Sequence, residues 1–363
     1  MAILVHIIMY GAKNRMECLL DFSLSEIQEK FENFGFEKYR AKQVYFALQQ
    51  GKTFDECTVL SAEIKKILNQ NFISQPVSIL KILVSKDGTT KYLFSLTDNN
   101  VIEGVLMKYK FGNTLCVSTQ VGCAMGCVFC ASTMEGLVRN LTSGEILGQV
   151  IQVNKSLDSG LGEKRKVTNI VLMGSGEPLA NYKNVTNFLD LVMDENGLNV
   201  SSRNISLSTC GVVDKIEQLA KDGYKVTLSL SLHAPTDEIR KKIMRIANTY
   251  TLKQVIDACK YYYEKTKRRM IFEYILINDI NSSKECAKQL ADLVKGLNVH
   301  INLIPLNEVN GLKLKTVSKN QVNIFQNELL NYGISATVRR TLGDDIEGAC
   351  GQLRRRYLNK DVK

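Results

Sequence analysis

Proline is scarce, with only Pro76, Pro178, Pro235 and Pro305 in 363 residues, and no tract is of low complexity. Long flexible linkers between separate modules are therefore excluded. Histidine is scarcer, since His6, His233 and His300 are the only three. No apolar run is long enough to span a bilayer. Residues 1–10 are apolar but short, carry no basic stretch before them, and are not followed by a convincing cleavage site at 11–15. They read as a strand, or as an extension ahead of a domain that begins near Met16, and the chain reads as cytoplasmic and without a membrane partner. A disulfide framework is also absent in pattern: of ten cysteines, Cys18, Cys57, Cys210, Cys259, Cys286 and Cys350 are scattered singly. A chain of this length has core enough without staples, which favours metal binding or catalysis in a reducing compartment.

The composition, 45% hydrophobic and 23% charged, is that of a globular protein with room for one large α/β domain and a smaller one. A formal charge of +10 suits a polyanionic partner as readily as a basic surface with no special role.

Residues 16–71 read as helical. Ser23 can cap a helix carrying Ile27, Phe31 and Phe34 and stopped by Gly35, and further amphipathic segments run over 40–50 and 62–70. From 77 to 117 the pattern changes to short β-type runs, "SILKILVS", "TKYLFSL" and "VIEGVLMKY", separated by turn residues. From Thr114 onward strand-like runs at 169–174, 204–209, 226–233, 271–277 and 299–306 alternate with helical stretches. This alternation predicts a parallel sheet with right-handed crossovers, a partial or complete α/β barrel whose chemistry lies at the C-terminal ends of its strands.

The remaining cysteines crowd together. "GCAMGCVFC" places Cys123, Cys127 and Cys130 on one loop directly after a strand. Three thiolates so spaced can hold three irons of a cubane cluster and leave the fourth open. A structural zinc site takes four protein ligands, and no second pair or nearby histidine supplies the fourth. "MGSGEP", at the end of the 169–174 run, contributes Gly174 and Gly176, which let backbone approach a ligand, and the carboxylate of Glu177. "SLSTCG" and "SLSLHA" end later strands with Ser208, Ser231, Leu232 and His233, and Asn307 ends "NLIPLN". Each alone reads equally as an ordinary strand-end residue.

The cysteine loop, with Phe129 before its last cysteine, resembles the signature of the radical S-adenosylmethionine (SAM) superfamily. "TLCVSTQVGC", "EGLVRNLT", "MGSGEPLANY", "SLSLHAP", "NLIPLN" and "VRRTLGDDIEGACGQL" together resemble the RlmN-type adenine-C2 methyltransferases of 23S ribosomal RNA and tRNA, over about residues 16–357. The resemblance implies a partial (β/α)6 barrel at 113–340, preceded by a helical RNA-binding accessory domain at 16–75 and a β-rich connector at 76–112. It implies a C-terminal segment, 341–363, carrying a catalytic cysteine and a basic tail. It implies a [4Fe–4S] cluster on Cys123, Cys127 and Cys130, and SAM held by Gly176, Glu177, Ser208, Ser231, Leu232, His233 and Asn307. Cys350 would accept a methyl group from one SAM, Cys116 would release the product through a transient disulfide with Cys350, and Glu103 would accept a proton. Arg354, Arg355 and Arg356 are candidate phosphate contacts. The enzyme is expected to act as a monomer on 23S rRNA, with tRNA a second substrate and flavodoxin or ferredoxin the electron donor. The rival readings are methylation of carbon 8 of the same adenine, as in the Cfr-type branch, and a non-catalytic iron–sulfur RNA-binding protein. Pro178 and the pair Asp344–Asp345 favour the RlmN type over Cfr.

Overall fold

The computed structural model describes residues 16–158, 165–307, 314–349 and 351–352. The extension at 1–15, Cys350 and Arg354–Arg356 lie outside the described residues.

A two-residue strand, β1 (Glu17–Cys18), leads into α1 (Leu24–Glu32), α2 (Lys38–Gln49) and α3 (Ala62–Asn71), and β2 (Phe72–Ile73) returns to pair with β1. Ser23 caps α1 as expected: Glu26 N–H donates to Ser23 Oγ while Ser23 N–H donates to the Glu26 carboxylate. The helix stops at Glu32, so Phe34 lies beyond it and stacks on Phe36 at 6.0 Å instead of continuing the face of Ile27 and Phe31. Buried side chains of these helices, Ile27, Phe31, Leu48 and Leu68, share one core with the sheet that follows.

Four antiparallel strands begin that sheet: β3 (Val77–Val84), β4 (Thr90–Leu96), β5 (Val101–Tyr109) and β6 (Gly112–Cys116). A short ribbon, β7 (Gln120–Gly122) with β8 (Leu137–Asn140), flanks the cysteine loop. Parallel strands then extend the sheet beyond β6: β9 (Val167–Leu172), β10 (Ile205–Thr209), β11 (Thr227–Ser231), β12 (Met270–Leu276), β13 (Val299–Pro305) and β14 (Ala336–Val338). The ten-stranded sheet is open, with β3 at one edge and β14 at the other, so its parallel part is a partial barrel. The β-rich connector is not set apart from it; its strands continue the same sheet through the β5–β6 pairing.

Helices α4 (Ser143–Ser156), α5 (Tyr182–Met193), α6 (Val213–Lys221), α7 (Asp237–Ile243), α8 (Leu252–Thr266), α9 (Lys284–Val294) and α10 (Lys319–Asn331) fill the crossovers. Thr142 and Glu145 form a reciprocal cap on α4. Leu207, Leu228, Leu230, Phe272, Ile301 and Leu303 are wholly buried, as strands covered by helices require. Among the described residues no helix is long and apolar enough to cross a membrane.

Candidate active site

Cys123, Cys127 and Cys130 face one cavity of about 140 Å³ at the C-terminal ends of β9 to β13. Their loop is held by its own backbone. Cys130 N–H donates to Cys127 O at 3.2 Å, Cys123 N–H to Gly136 O at 3.1 Å, and Val128 N–H to Ile243 O at 3.1 Å. Burial pushes the Cys123 thiol up to about 12 and the Cys127 thiol well above the ordinary range, and neighbouring cysteines and Glu177 add to both. Such thiols keep their protons until a cationic centre stands among them, which is what an iron cluster provides. Among the described residues no three His, Cys, Asp or Glu side chains are placed to share a single metal ion. Cysteines that each bind a different iron of a cubane need not be, so the donor set fits a cluster better than a lone zinc.

Glu177 lies in the same cavity and is 4% exposed. Its carboxylate accepts from Cys210 N–H at 2.7 Å and Leu179 N–H at 3.0 Å. Burial raises its pKa, and these two amides work against that rise. A fixed carboxylate with lone pairs to spare suits an ammonium group. The two glycines before it also serve the packing of the strand end. A Cβ on Gly174 would strike Val117 O and Ser118, and one on Gly176, at φ +111°, would strike Gln120. They let the strand end pack against the segment after β6, and both also line the cavity.

Ser208, Ser231 and His233 line the same cavity, with the two serine hydroxyls 3.4 Å apart. His233 has a left-handed backbone, φ 58°, and its Nδ1 accepts from Ile275 N–H at 3.0 Å. Its ring meets Phe129 edge to face at 4.9 Å, which ties the cysteine loop to the end of β11. Burial, helped by Arg240, depresses its pKa to about 3, so the imidazole is neutral with its proton on Nε2. Leu232 lines neither this cavity nor its neighbour. Its side chain is in the core, its N–H donates to Leu230 O and Glu273 O, and its carbonyl accepts from Arg240. Asn307 lines the neighbouring cavity instead.

That second cavity, about 60 Å³, shares Cys130, Met173, Gly174, Ile304, Arg339 and Gly351 with the first. Cys116, at the end of β6, lines it, as do Ala349 and Gly351. The loop carrying those two is pinned on three sides. Gly351 O accepts from Ala131 N–H at 2.8 Å, Asp345 accepts from Ser85 Oγ at 2.5 Å, and Glu347 O accepts from Lys91 Nζ at 3.1 Å. Glu103 is not the solvated strand acid that its position in β5 suggests. It is 3% exposed and pairs with Lys91 at 2.9 Å. Two residues before Val105, which opposes Cys116, it shares their face of the sheet and reaches a small void beside Ser132 and Ser175.

Some residues of the site had no separate signal in the sequence. Glu273, 4% exposed, accepts from Ser229 Oγ and Asn302 Nδ2 and lines the larger cavity. Arg339 lines both cavities. Arg240, fully buried, donates to Cys210 O at 2.6 Å and Leu232 O at 3.2 Å, joining the ends of β10 and β11 behind the cysteine loop. Cys210, one of the scattered cysteines, lines the larger cavity.

Comparison with known proteins agrees with this arrangement. The Radical SAM superfamily matches residues 117–293. A probable dual-specificity RNA methyltransferase RlmN of Clostridium novyi (strain NT) is 47% identical over 349 residues, covering 95% of this chain and 100% of its own. Its counterpart in Clostridium perfringens (strain SM101 / Type A) is 50% identical over 94% of this chain and 98% of its own. A crystal structure of a radical SAM methyltransferase from Sphaerobacter thermophilus superposes with a TM-score of 0.89 at 40% identity, over 93% of this chain and 99% of that one. The chain thus belongs to the RlmN family of radical SAM methyltransferases, enzymes whose cofactors are a [4Fe–4S] cluster and SAM.

Proposed function

We propose that this enzyme methylates carbon 2 of an adenine in 23S rRNA, and of an adenine in tRNA, through a methyl group carried on Cys350. The observation that supports it most is the shared cavity: Cys116 and both chain neighbours of Cys350, Ala349 and Gly351, line one space that opens onto the cysteine loop. The relatives' description as dual-specificity RNA methyltransferases supports the substrate class.

When bound, the cluster and SAM supply a 5′-deoxyadenosyl radical, and a second SAM supplies the methyl. The protein's own residues do the rest. Adenine carbon 2 is electrophilic and cannot attack a sulfonium methyl, whereas the Cys350 thiolate can. The methyl on Cys350, having lost one hydrogen, adds to carbon 2 and leaves base and enzyme joined through a thioether. The adduct still carries the unpaired electron; Glu103 takes the proton from carbon 2, with Lys91 beside it to stabilise the carboxylate, and the electron passes back to the flavodoxin or ferredoxin, leaving a closed-shell thioether. Cys116 Sγ then attacks Cys350 Sγ, forming a disulfide as the S–C bond breaks. The bond's electron pair stays on carbon, which takes a proton to become the methyl, and a reductant restores the two thiols. Among the described residues no two cysteines are joined, and Cys350 lies outside them.

Gly176, Glu177, Ser208, Ser231, His233 and Asn307 hold SAM in this scheme, with Leu232 positioning its two neighbours. Flavodoxin or ferredoxin supplies the electron, in the cytoplasm where ribosomes are available, and the chain acts as a monomer. Helix α2 presents Lys38, Tyr39 and Lys42 to solvent, consistent with phosphate contacts from an accessory domain at 16–75. The barrel, the connector and the C-terminal segment keep the bounds 113–340, 76–112 and 341–363. The test is anaerobic reconstitution with SAM, a reductant and an rRNA fragment, followed by mass spectrometry of the nucleosides. 2-Methyladenosine is expected; 8-methyladenosine would assign the chain to Cfr-type chemistry instead.

A further inference from the structure

Phe111, at 74%, is the most exposed large apolar side chain among the described residues. A lone exposed aromatic ordinarily needs no explanation, but this one is built into its surroundings. β5 and β6 pair Tyr109 with Gly112 and leave only Lys110 and Phe111 in the turn, a short connection that limits their freedom. The Phe111 ring lies parallel on Tyr109, with centroids 4.9 Å apart and planes 7° from coplanar. Gly112, at φ +135°, has no room for a Cβ, which would strike Thr168 Oγ1, so the hairpin end is seated against β9.

The stack leads to the cavity. Val105, Met107 and Tyr109 alternate along β5 and therefore share one face; the first two line the cavity that holds Cys116. Tyr109 packs on the same small cluster as Cys116, Met107 and Leu342. Tyr109 stands four residues from Val105, the partner of Cys116, or about 13 Å along the strand. Lys110, the other turn residue, is exposed beside Phe111, and exposed Arg340 lines the cavity. An exposed ring with a cation beside it, stacked on a residue of the cluster that walls the Cys116 cavity, matches single-stranded RNA: bases stack on rings while phosphates meet ammonium groups.

We propose that Tyr109 and Phe111 form a stacking platform for a nucleobase adjacent in the chain to the target adenine, with Lys110 on the phosphate beside it. This rests on the reading of the enzyme as an RNA methyltransferase and adds how the RNA is held while one base is turned out. The chain contains no tryptophan, so Phe111→Trp installs the only indole. Its fluorescence is expected to be quenched by a single-stranded rRNA fragment, and not by one lacking the bases on both sides of the target adenine. Phe111→Ala is expected to raise KM for RNA roughly tenfold, the scale of one lost base–aromatic stack, with the loss falling on KM and not kcat. On the RNA without those flanking bases, Phe111→Ala and the unaltered enzyme should have equal KM. An unchanged KM for Phe111→Ala, or an indole indifferent to RNA, would overturn the platform while leaving methylation intact. An unaltered chain that neither binds nor methylates RNA would overturn the reading beneath it as well, and the two failures are thereby told apart.

Discussion

Cys116→Ala is expected to stop the enzyme with RNA still covalently attached. In the proposed sequence the carbon–carbon bond to adenine forms before the S–C bond to Cys350 breaks, and only a thiol placed to attack Cys350 Sγ can break it. Cys116 lines the cavity beside Ala349 and Gly351, and no other described cysteine lines it except Cys130, a ligand of the cluster in this account. The variant should therefore turn over less than once and yield an enzyme–RNA species that survives denaturation, detected as a shifted band that ribonuclease collapses. Cys350→Ala should give no adduct and no methylated base, because the acceptor of the first methyl is gone. The double variant should behave as Cys350→Ala does. Free methylated RNA released at the normal rate by Cys116→Ala would remove that residue from the mechanism.

Lys91→Met should be nearly as damaging, for a different reason. Lys91 and Glu103 are 3% and 4% exposed at the side chain, and Lys91 Nζ also holds Glu347 O at 3.1 Å. Removing the cation leaves a carboxylate buried without its charge partner, which costs about 3–5 kcal/mol. It also releases one pin of the loop that carries Cys350. Urea unfolding should show the loss as a lower midpoint. A Lys91→Met, Glu103→Gln double variant removes both charges and should regain most of the stability. It should not regain methylation, since the proton acceptor is gone. Recovery of activity with stability would make the pair structural only.

The cysteine loop was legible in the sequence because Cys123, Cys127 and Cys130 lie within eight residues, so spacing alone brings them to one cavity. Glu177, Ser208, Ser231 and His233 were legible for a related reason: each follows a strand, and a parallel sheet brings its strand ends together. Burial and partnership were less accessible. Nothing local marks Glu103 as buried, because its partner Lys91 comes from the preceding strand, and that lysine is itself held by Glu347, more than 200 positions later. Gly174 and Gly176 line the cavity, and a second role was not legible: they leave room for Val117, Ser118 and Gln120, a contact set by the β6–β9 pairing. Arg240 and Glu273 were missed because their roles consist of bonds to other strand ends. β14 was missed because three residues, Ala336–Val338, are too few for a period to register.

The central claim is that the transferred carbon passes through Cys350 and loses one of its hydrogens on the way. Multiple turnovers with SAM carrying a trideuterated methyl group test this directly, by mass spectrometry of the RNA nucleosides and of 5′-deoxyadenosine. The account predicts 2-methyladenosine with two deuterium atoms and one solvent hydrogen in the methyl, and the missing deuterium in 5′-deoxyadenosine. A methyl that arrives with all three deuterium atoms would show direct transfer and contradict it.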